Sequence, residues 1–196
     1  MSAVAIAVLS YLFGAIPTGY LLFRWSEQKD IRKFGSRSIG ATNVLRLKGW
    51  KYGAAVVIFD FSKGFLPVFI ASRLFEDPRL VMLCGLLTVI GHCYPVFIKF
   101  KGGKGVATTV GVYTAVAVMP LLIILSLFLI VVLITRYVSL SSLLAAMCYP
   151  PAAFLFRENW SVIILGLALF ALIAFQHRSN IHRLIEGNEH KIGEKT

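Results

Sequence analysis

The sequence has few acidic residues, few cysteines and none of the common hydrolytic motifs. It contains 9 Asp and Glu against 20 Lys and Arg among 196 residues. The three cysteines, Cys84, Cys93 and Cys148, are far apart and set in or beside apolar runs, so they predict no disulfide framework. A Gly-x-Ser-x-Gly turn, a histidine with aspartate five residues on, and a metal-ligand cluster are also missing. Serine-nucleophile catalysis and metal-dependent hydrolysis are therefore not indicated, and we expect no metal and no cofactor.

Apolar residues, in contrast, are abundant. The chain is 58% hydrophobic, above the roughly 45–50% of globular proteins, and these residues fall in long blocks. This predicts an integral membrane protein, whose basic excess belongs to cytoplasmic loops rather than to nucleic-acid binding. The first block, near residues 4–23, has no Lys or Arg before it and a basic stretch after it, the reverse of a signal peptide. We expect it to be retained, with the N-terminus outside the cell.

The number of membrane spans depends on residues 106–136. At about 20 residues per span, the other apolar runs predict helices near 4–23, 52–74, 79–98, 140–157 and 160–176. Dividing 106–136 at Pro120 leaves two runs of about 15 residues and puts sixteen Lys and Arg on one face against three. A single span would give twelve against seven. The positive-inside rule favours the division, which predicts an all-α, seven-span single domain over 1–196 with a cytoplasmic C-terminus.

A loop from Phe100 to Thr109 combines three glycines with two lysines between two apolar segments. Glycine lets backbone N–H groups turn towards an anion, a following helix adds its dipole, and Lys101 or Lys104 adds charge. Since Gly105 follows Lys104, the loop is not a nucleotide-binding Walker A motif. The alternative is a flexible basic turn.

Two further polar clusters lie on the face predicted to be cytoplasmic. Residues 35–46 carry Ser36, Thr42, Asn43 and Arg46, which suit phosphate binding; the alternative is a capped turn. His177 follows the last predicted span, and Asn180 lies on the same helical face if the helix continues. Such a histidine suits a general base, and the alternative is an interfacial residue without chemistry.

Charged and hydroxyl side chains inside the apolar segments are further candidates. Asp60 and Lys63 lie one helical turn apart in the second segment, where charges are costly, so we predict an ion pair that supports the site. His92 near the end of the third segment suits a structural or a catalytic role equally. Ser142 is a candidate substrate ligand, although it lies where a helix cap is also expected.

Together these segments resemble the PlsY-type acyl-phosphate:glycerol-3-phosphate acyltransferases of bacteria. The resemblance spans nearly the whole chain and rests on Gly35-Ser36, Gly40–Arg46, Asp60 with Lys63-Gly64, Gly91-His92 with Pro95, Phe100–Thr108, His177, Asn180-Ile181, Arg183-Leu184 and Glu189. The chain departs from the family pattern at Arg37-Ser38-Ile39 and at Gln176.

The resemblance implies transfer of a fatty acyl group from acyl phosphate to the 1-hydroxyl of sn-glycerol 3-phosphate at the cytoplasmic face of the bacterial inner membrane. Its implied partners are these two substrates and membrane lipid. The implied catalytic residues are Ser36, Arg46, Lys104, His177 and Asn180, and the substrate-binding residues are Thr42, Asn43, Lys101, Gly102, Gly103, Gly105 and Ser142. We expect Gly102 to Gly105 to hold the acyl phosphate and the catalytic residues to hold glycerol 3-phosphate. The alternative function is a small transporter or channel for an organic phosphate anion.

Overall fold

The computed structural model describes residues 2–194, which form ten α-helices and two short 3₁₀ turns without any strand. The helices are α1 (Ala3–Gly14), α2 (Thr18–Glu27), α3 (Ala41–Lys48), α4 (Trp50–Leu74), α5 (Pro78–Cys93), α6 (Val106–Val116), α7 (Val118–Thr135), α8 (Val138–Leu155), α9 (Trp160–Gln176) and α10 (Arg178–Ile185). The 3₁₀ turns are Ile31–Lys33 and Val96–Ile98. Met1 and residues 195–196 lie outside the described part of the chain. The all-α prediction is confirmed.

Within the described residues, five helical segments are long and apolar enough to cross a membrane: Ala3–Glu27, Trp50–Leu74, Pro78–Ile98, Val118–Thr135 and Val138–Leu155. A sixth is formed by α9 and α10 if this pair, bent by 62°, is one span. Helix α6 has 11 residues, or about 16 Å, against the ~30 Å of a hydrocarbon core. The protein is therefore a polytopic membrane protein, while the count of seven spans stays a prediction.

Two helix breaks differ from the sequence expectation. The first apolar segment is broken between α1 and α2 at residues 15–17, where Pro17 has no N–H to continue the helical ladder. The long apolar run is divided at Ala117, in extended conformation with φ −160°, rather than at Pro120. Pro120 lies in the first turn of α7, where a missing N–H costs no hydrogen bond. The expected pair of equal runs is therefore wrong, because α7 alone has 18 residues.

The chain forms two compact units, one up to Val112 and one from Tyr113 to Glu194, so the division falls inside α6. The single domain expected from the sequence remains a prediction.

Close backbone contacts hold the first unit together. A β-carbon added to Gly14 of α1 would lie 2.1 Å from the carbonyl oxygen of Thr88 in α5, and one added to Gly64 of α4 would lie 2.0 Å from that of Thr108 in α6. Gly111 meets the carbonyl oxygen of Phe61 in the same way, at 2.1 Å. Small residues that let helix backbones approach are characteristic of membrane helix packing. They position the ends of α5 and α6 that carry the glycine-rich loop.

The second unit contains the end of α6 from Tyr113, helices α7 to α10 and the tail after them. At its centre the rings of Tyr113 and Tyr149 stack with centroids 3.4 Å apart. The tail pairs with the turn between α7 and α8, since Ile192 N donates to Arg136 O and Arg136 Nη2 donates to Ile192 O, each at 2.8 Å. The tail is thereby fixed beside the start of α8.

Candidate active site

The first polar cluster is held by the side chain of Asn43, which is 1% exposed. Its Nδ2 donates to Ser38 O at 2.8 Å and to Phe34 O at 3.2 Å, and its Oδ1 accepts the Ser36 amide at 3.0 Å. Gly35 has a φ of +54°, and a β-carbon there would lie 2.4 Å from Asn43 Oδ1. Asn43 therefore fixes the loop from Phe34 to Ser38 through its own amide.

The other three residues of this cluster lie at its surface or at its edge. Ser36 and Thr42 are exposed, and Arg46 is half-buried. Thr42 and Arg46 are both in α3, four residues apart, so they share one face of that helix. The fixed loop and α3 thus present two hydroxyls, of Ser36 and Thr42, and the guanidinium of Arg46. The sequence assigned no buried acidic partner to them.

The glycine-rich loop folds back onto the end of α5. Gly102 N donates to Cys93 O and Gly103 N donates to His92 O, both at 3.1 Å. A β-carbon on Gly102 would lie 2.2 Å from His92 O, and one on Gly103 would lie 2.2 Å from His92 Nε2. These two positions need glycine because the loop backbone lies close against His92. Their amide N–H groups are used in hydrogen bonds to carbonyls at the end of α5. Direct amide donation from Gly102 and Gly103 to a phosphate, as expected from the sequence, would require this pairing to open.

The loop ends at the start of α6. Gly105 has a φ of +82°, favourable only for glycine, and its carbonyl accepts Thr109 N at 2.8 Å, which starts the helix. The first turn of an α-helix leaves its N–H groups without helical partners, so these are the backbone donors on offer to an anion. Lys104 is half-buried beside this turn, whereas Lys101 is exposed. The hydroxyls of Thr108 and Thr109 are buried without a hydrogen-bond partner among residues 2–194.

His177 lies at the bend between α9 and α10 and is 2% exposed. Its Nδ1 is 2.8 Å from Ile173 O. A carbonyl oxygen can only accept, so Nδ1 carries the proton and Nε2 of the neutral ring is an acceptor. The backbone of α9 thereby sets the tautomer that a general base needs.

Asn180, in the first turns of α10, is fixed by Glu189 of the tail. Asn180 Nδ2 donates to Glu189 Oε1 at 2.6 Å. An ionised carboxylate only accepts, so the amide must present Nδ2 to it and turn Oδ1 away. Oδ1 is buried and has no hydrogen-bond partner in the described part of the chain. The second unit therefore contains a fixed, unused acceptor.

Glu189 is the centre of this cluster. Besides Asn180, it accepts Ser139 Oγ at 2.8 Å and Arg183 Nε at 2.7 Å, and its side chain is 7% exposed. Burial works to raise the pKa of the Glu189 carboxyl, but the three donors outweigh it, so the pKa lies below its ordinary value of 4.5. Glu189 is thus a carboxylate whose charge is stabilised by the fold.

Ser142 lies in the first turns of α8 and is 3% exposed. Its hydroxyl donates to Val138 O at 2.8 Å, so the proton is used by the helix and only the oxygen lone pairs remain. Within residues 2–194 no group of three or more His, Cys, Asp or Glu is placed to hold a metal ion.

Comparison with known proteins decides the family. The family model described as glycerol-3-phosphate acyltransferase matches residues 4–187. Glycerol-3-phosphate acyltransferases from Thermoanaerobacter pseudethanolicus and Syntrophomonas wolfei are 42% and 40% identical, covering all of this chain and 98% and 100% of those proteins. The chain belongs to the glycerol-3-phosphate acyltransferase family.

Solved structures agree with this family and with its PlsY-type branch. A crystal structure of PlsY (YgiH), an integral membrane glycerol 3-phosphate acyltransferase, in its glycerol 3-phosphate form is 41% identical with a TM-score of 0.95. The lysophosphatidic acid form of PlsY is 40% identical with a TM-score of 0.91. Each alignment covers 98% of this chain and 96% of the other. The resemblance found in the sequence is confirmed: this protein is an integral membrane acyltransferase.

Two features of this glycerol-3-phosphate acyltransferase were not assigned from the sequence. Glu189 was part of the resemblance but received no role, although an acidic residue is rare in so basic a chain. The buried placement of His92 against Gly103 also has no local sequence signal, since it depends on how the loop folds back. Both side chains contact candidate site residues, Glu189 through Asn180 and His92 through Gly103.

Proposed function

We propose that this acyltransferase uses acyl phosphate as donor and the 1-hydroxyl of sn-glycerol 3-phosphate as acceptor, giving lysophosphatidate and inorganic phosphate. The observation that carries the proposal is the full-length similarity to PlsY structures described as a glycerol 3-phosphate form and a lysophosphatidic acid form. Glycerol 3-phosphate and lysophosphatidate differ by one acyl group, so they are the acceptor and the product of a single transfer.

Acyl phosphate is an activated mixed anhydride, and so it suits a site of cations and polar side chains. The hydroxyl oxygen bonds to the acyl carbon, the bond from that carbon to the phosphate oxygen breaks, and phosphate leaves. The hydroxyl proton goes to His177 Nε2 or to an oxygen of the donor phosphate. Positioning and stabilisation of anionic oxygens would supply most of the acceleration.

We assign the acceptor atoms of the second unit to the hydroxyls of glycerol 3-phosphate. With His177 Nδ1 bonded to Ile173 O and Asn180 Nδ2 bonded to Glu189, His177 Nε2 and Asn180 Oδ1 are the acceptor ends of these side chains, so each suits a hydroxyl and would repel a phosphate oxygen. Ser142 can likewise only accept, because its proton is donated to Val138 O. This chemistry supports a hydroxyl-binding role for all three.

We assign the cations to phosphate. Arg46 and Lys104, with the hydroxyl of Ser36, would hold the phosphate of glycerol 3-phosphate. Lys101 would add a cation around it, and Thr42 a hydroxyl donor. The first turn of α6 would receive the donor phosphate, with Gly102, Gly103 and Gly105 acting by bringing that turn close to α5. Asn43 would act indirectly by fixing the loop that carries Ser36.

The proposed topology has seven spans, an outside N-terminus, a cytoplasmic C-terminus and the site at the cytoplasmic face of the inner membrane. The charge asymmetry of sixteen Lys and Arg against three supports it. Single cysteines introduced at Ser2, Lys33, Glu76 and His190 in a background without Cys84, Cys93 and Cys148 test it. We expect an impermeant maleimide to label positions 2 and 76 in intact cells, and positions 33 and 190 only after permeabilisation. Labelling of position 190 in intact cells would contradict the topology.

The activity is tested with purified protein, a long-chain acyl phosphate and labelled glycerol 3-phosphate, with lysophosphatidate as readout. We expect product with acyl phosphate and none with the corresponding acyl-CoA. Failure to form product from acyl phosphate would refute the donor assignment. Uptake of labelled glycerol 3-phosphate into sealed vesicles, without product, would instead support an anion transporter.

A further inference from the structure

Asp60 and Lys63 form a buried ion pair in the middle of the membrane helix α4. Lys63 Nζ is 2.9 Å from Asp60 Oδ1, and each residue is 3% exposed. Charges inside a membrane protein are costly, and a buried pair is poor evidence for stability because apolar residues of similar size often do as well. The retained charges therefore call for a role other than stability.

The pair is hydrogen-bonded to the segment that separates α1 from α2. Lys63 Nζ also donates to Ile16 O at 2.9 Å, a carbonyl that the break removes from the helical ladder. The hydroxyl of Thr18, the first residue of α2, donates to Asp60 Oδ1. Both charges are thus satisfied by the segment that surrounds Pro17.

The pair also borders the glycine-rich loop through His92. His92 is 5% exposed, and its Nδ1 lies 3.7 Å from Asp60 Oδ1. The other edge of the ring lies against the loop, since a β-carbon on Gly103 would be 2.2 Å from His92 Nε2. The backbone of Gly103 is tied to the same residue by donation to His92 O at 3.1 Å. The imidazole therefore separates the ion pair from the loop backbone.

Helix α4 contacts the other end of the loop as well. Gly64, the residue after Lys63, packs against the carbonyl oxygen of Thr108 in the first turn of α6, with a hypothetical β-carbon distance of 2.0 Å. The loop from Lys101 to Gly105 is therefore bounded on one side by His92 and on the other by a turn that α4 touches directly.

We propose that Asp60, Lys63 and His92 are positioning residues, which hold the loop from Gly102 to Gly105 in the conformation required for acyl transfer. The proposal rests on the proposed function, in which the first turn of α6 receives the donor phosphate and this loop brings that turn close to α5. The three side chains act through the loop backbone and do not contact substrate. Losing them would impair use of the donor more than use of glycerol 3-phosphate.

The first test removes both charges while keeping side-chain volume, in the double variant D60L/K63M. We expect D60L and K63M alone to yield little folded protein, because each leaves one buried charge without a partner. In the double variant we expect wild-type yield and thermal unfolding, kcat/KM for acyl phosphate at least 10-fold lower, and KM for glycerol 3-phosphate within threefold of wild type. Wild-type kcat/KM for acyl phosphate in a folded double variant would overturn the proposal.

Thr88 offers a matched control, since it is a fully buried polar residue that donates to Ser10 O and Cys84 O and belongs to the same unit. T88V removes a buried hydroxyl without touching the loop. A role in the fold alone predicts that D60L/K63M and T88V change both substrates' kinetic constants to the same degree. Positioning predicts that only D60L/K63M shifts the constant for acyl phosphate.

The second test does not depend on the ion-pair variants folding. G103A places a methyl group against His92 Nε2 and should lower kcat/KM for acyl phosphate at least 30-fold. In an H92A background, where the ring is absent, the same substitution should cost less than threefold. If G103A lowers kcat/KM by the same factor with and without the His92 ring, the proposal that this contact positions the loop is overturned. If wild-type protein forms no lysophosphatidate at all, the proposed function fails instead, so the two failures are distinguishable.

Discussion

Glu189 accepts the side-chain amide of Asn180 at 2.6 Å, and this contact fixes which end of that amide is left for a ligand. The contact joins the tail after α10 to the start of that helix. Because Glu189 also accepts a hydrogen bond from Ser139 of α8, one carboxylate connects α8, α10 and the tail. A residue outside every predicted span thereby controls the orientation of a proposed substrate contact.

N180D should reduce activity far more than its small change in size suggests. An aspartate at this position would oppose the carboxylate of Glu189 and lose the hydrogen bond between them, and like charges at such a distance disfavour one another. With loss of a charged hydrogen bond worth about 1.5–3 kcal/mol, we expect lysophosphatidate formation to fall at least 10-fold. The control is N188D, because Asn188 is exposed in the same tail. Activity of N180D within threefold of wild type would contradict the assignment.

E189Q should remove a pH-dependent part of the stability. The pKa of Glu189 is lowered from 4.5 in the folded protein, so the unfolded chain binds the proton more readily. Its stabilising contribution is therefore fully present above about pH 4.5 and is lost as the pH falls through the lower folded-state value. Thermal unfolding in detergent should show wild type more stable than E189Q at about pH 6, with the difference shrinking at about pH 3.5. A constant difference between these pH values would contradict the role of the charge.

The sequence predicted the broad arrangement of helices but not their breaks. Pro17 gave a local reason for the break after α1, because proline cannot donate to the helical ladder. Ala117 gave none, since alanine favours helices and only its surroundings can hold it extended at φ −160°. Pro120 was the misleading signal, as proline is well tolerated in the first turn of a helix.

The sequence predicted which residue types lie at the candidate site more successfully than which of their atoms are available to a ligand. The ion pair of Asp60 and Lys63 is confirmed at 2.9 Å, since two opposite charges one turn apart inside a membrane have few other partners. The use of the Gly102 and Gly103 amides by α5 could not be predicted, because it depends on Cys93 and His92, nine and eleven positions away, folding against them. Composition identifies a glycine-rich turn, whereas tertiary contacts decide which of its backbone N–H donors remain available to a ligand.

K104A and R46A should each lower activity at least 10-fold. Each side chain is half-buried and is proposed to make a charge-assisted phosphate contact worth about 1.5–3 kcal/mol. The measurement is lysophosphatidate formation, with the amount of folded, membrane-inserted protein determined for each variant. K33A is the matched control, because Lys33 is an exposed cation in the 3₁₀ turn that precedes α3, the helix of Arg46. Wild-type rates in both K104A and R46A would refute the phosphate assignment.

G64A should destabilise the first unit and with it the start of α6. The added methyl carbon would lie 2.0 Å from the carbonyl oxygen of Thr108, a backbone atom that cannot rotate away. The two helices must then separate, and overpacking of this kind costs about 1–3 kcal/mol. We expect a lower thermal unfolding temperature in detergent and a loss of activity that lower assay temperature partly restores. G40A is the control, because a β-carbon on Gly40 meets nothing nearer than the Ser38 hydroxyl oxygen at 3.4 Å. An unfolding temperature of G64A equal to that of G40A would mean that α4 and α6 do not need this close contact.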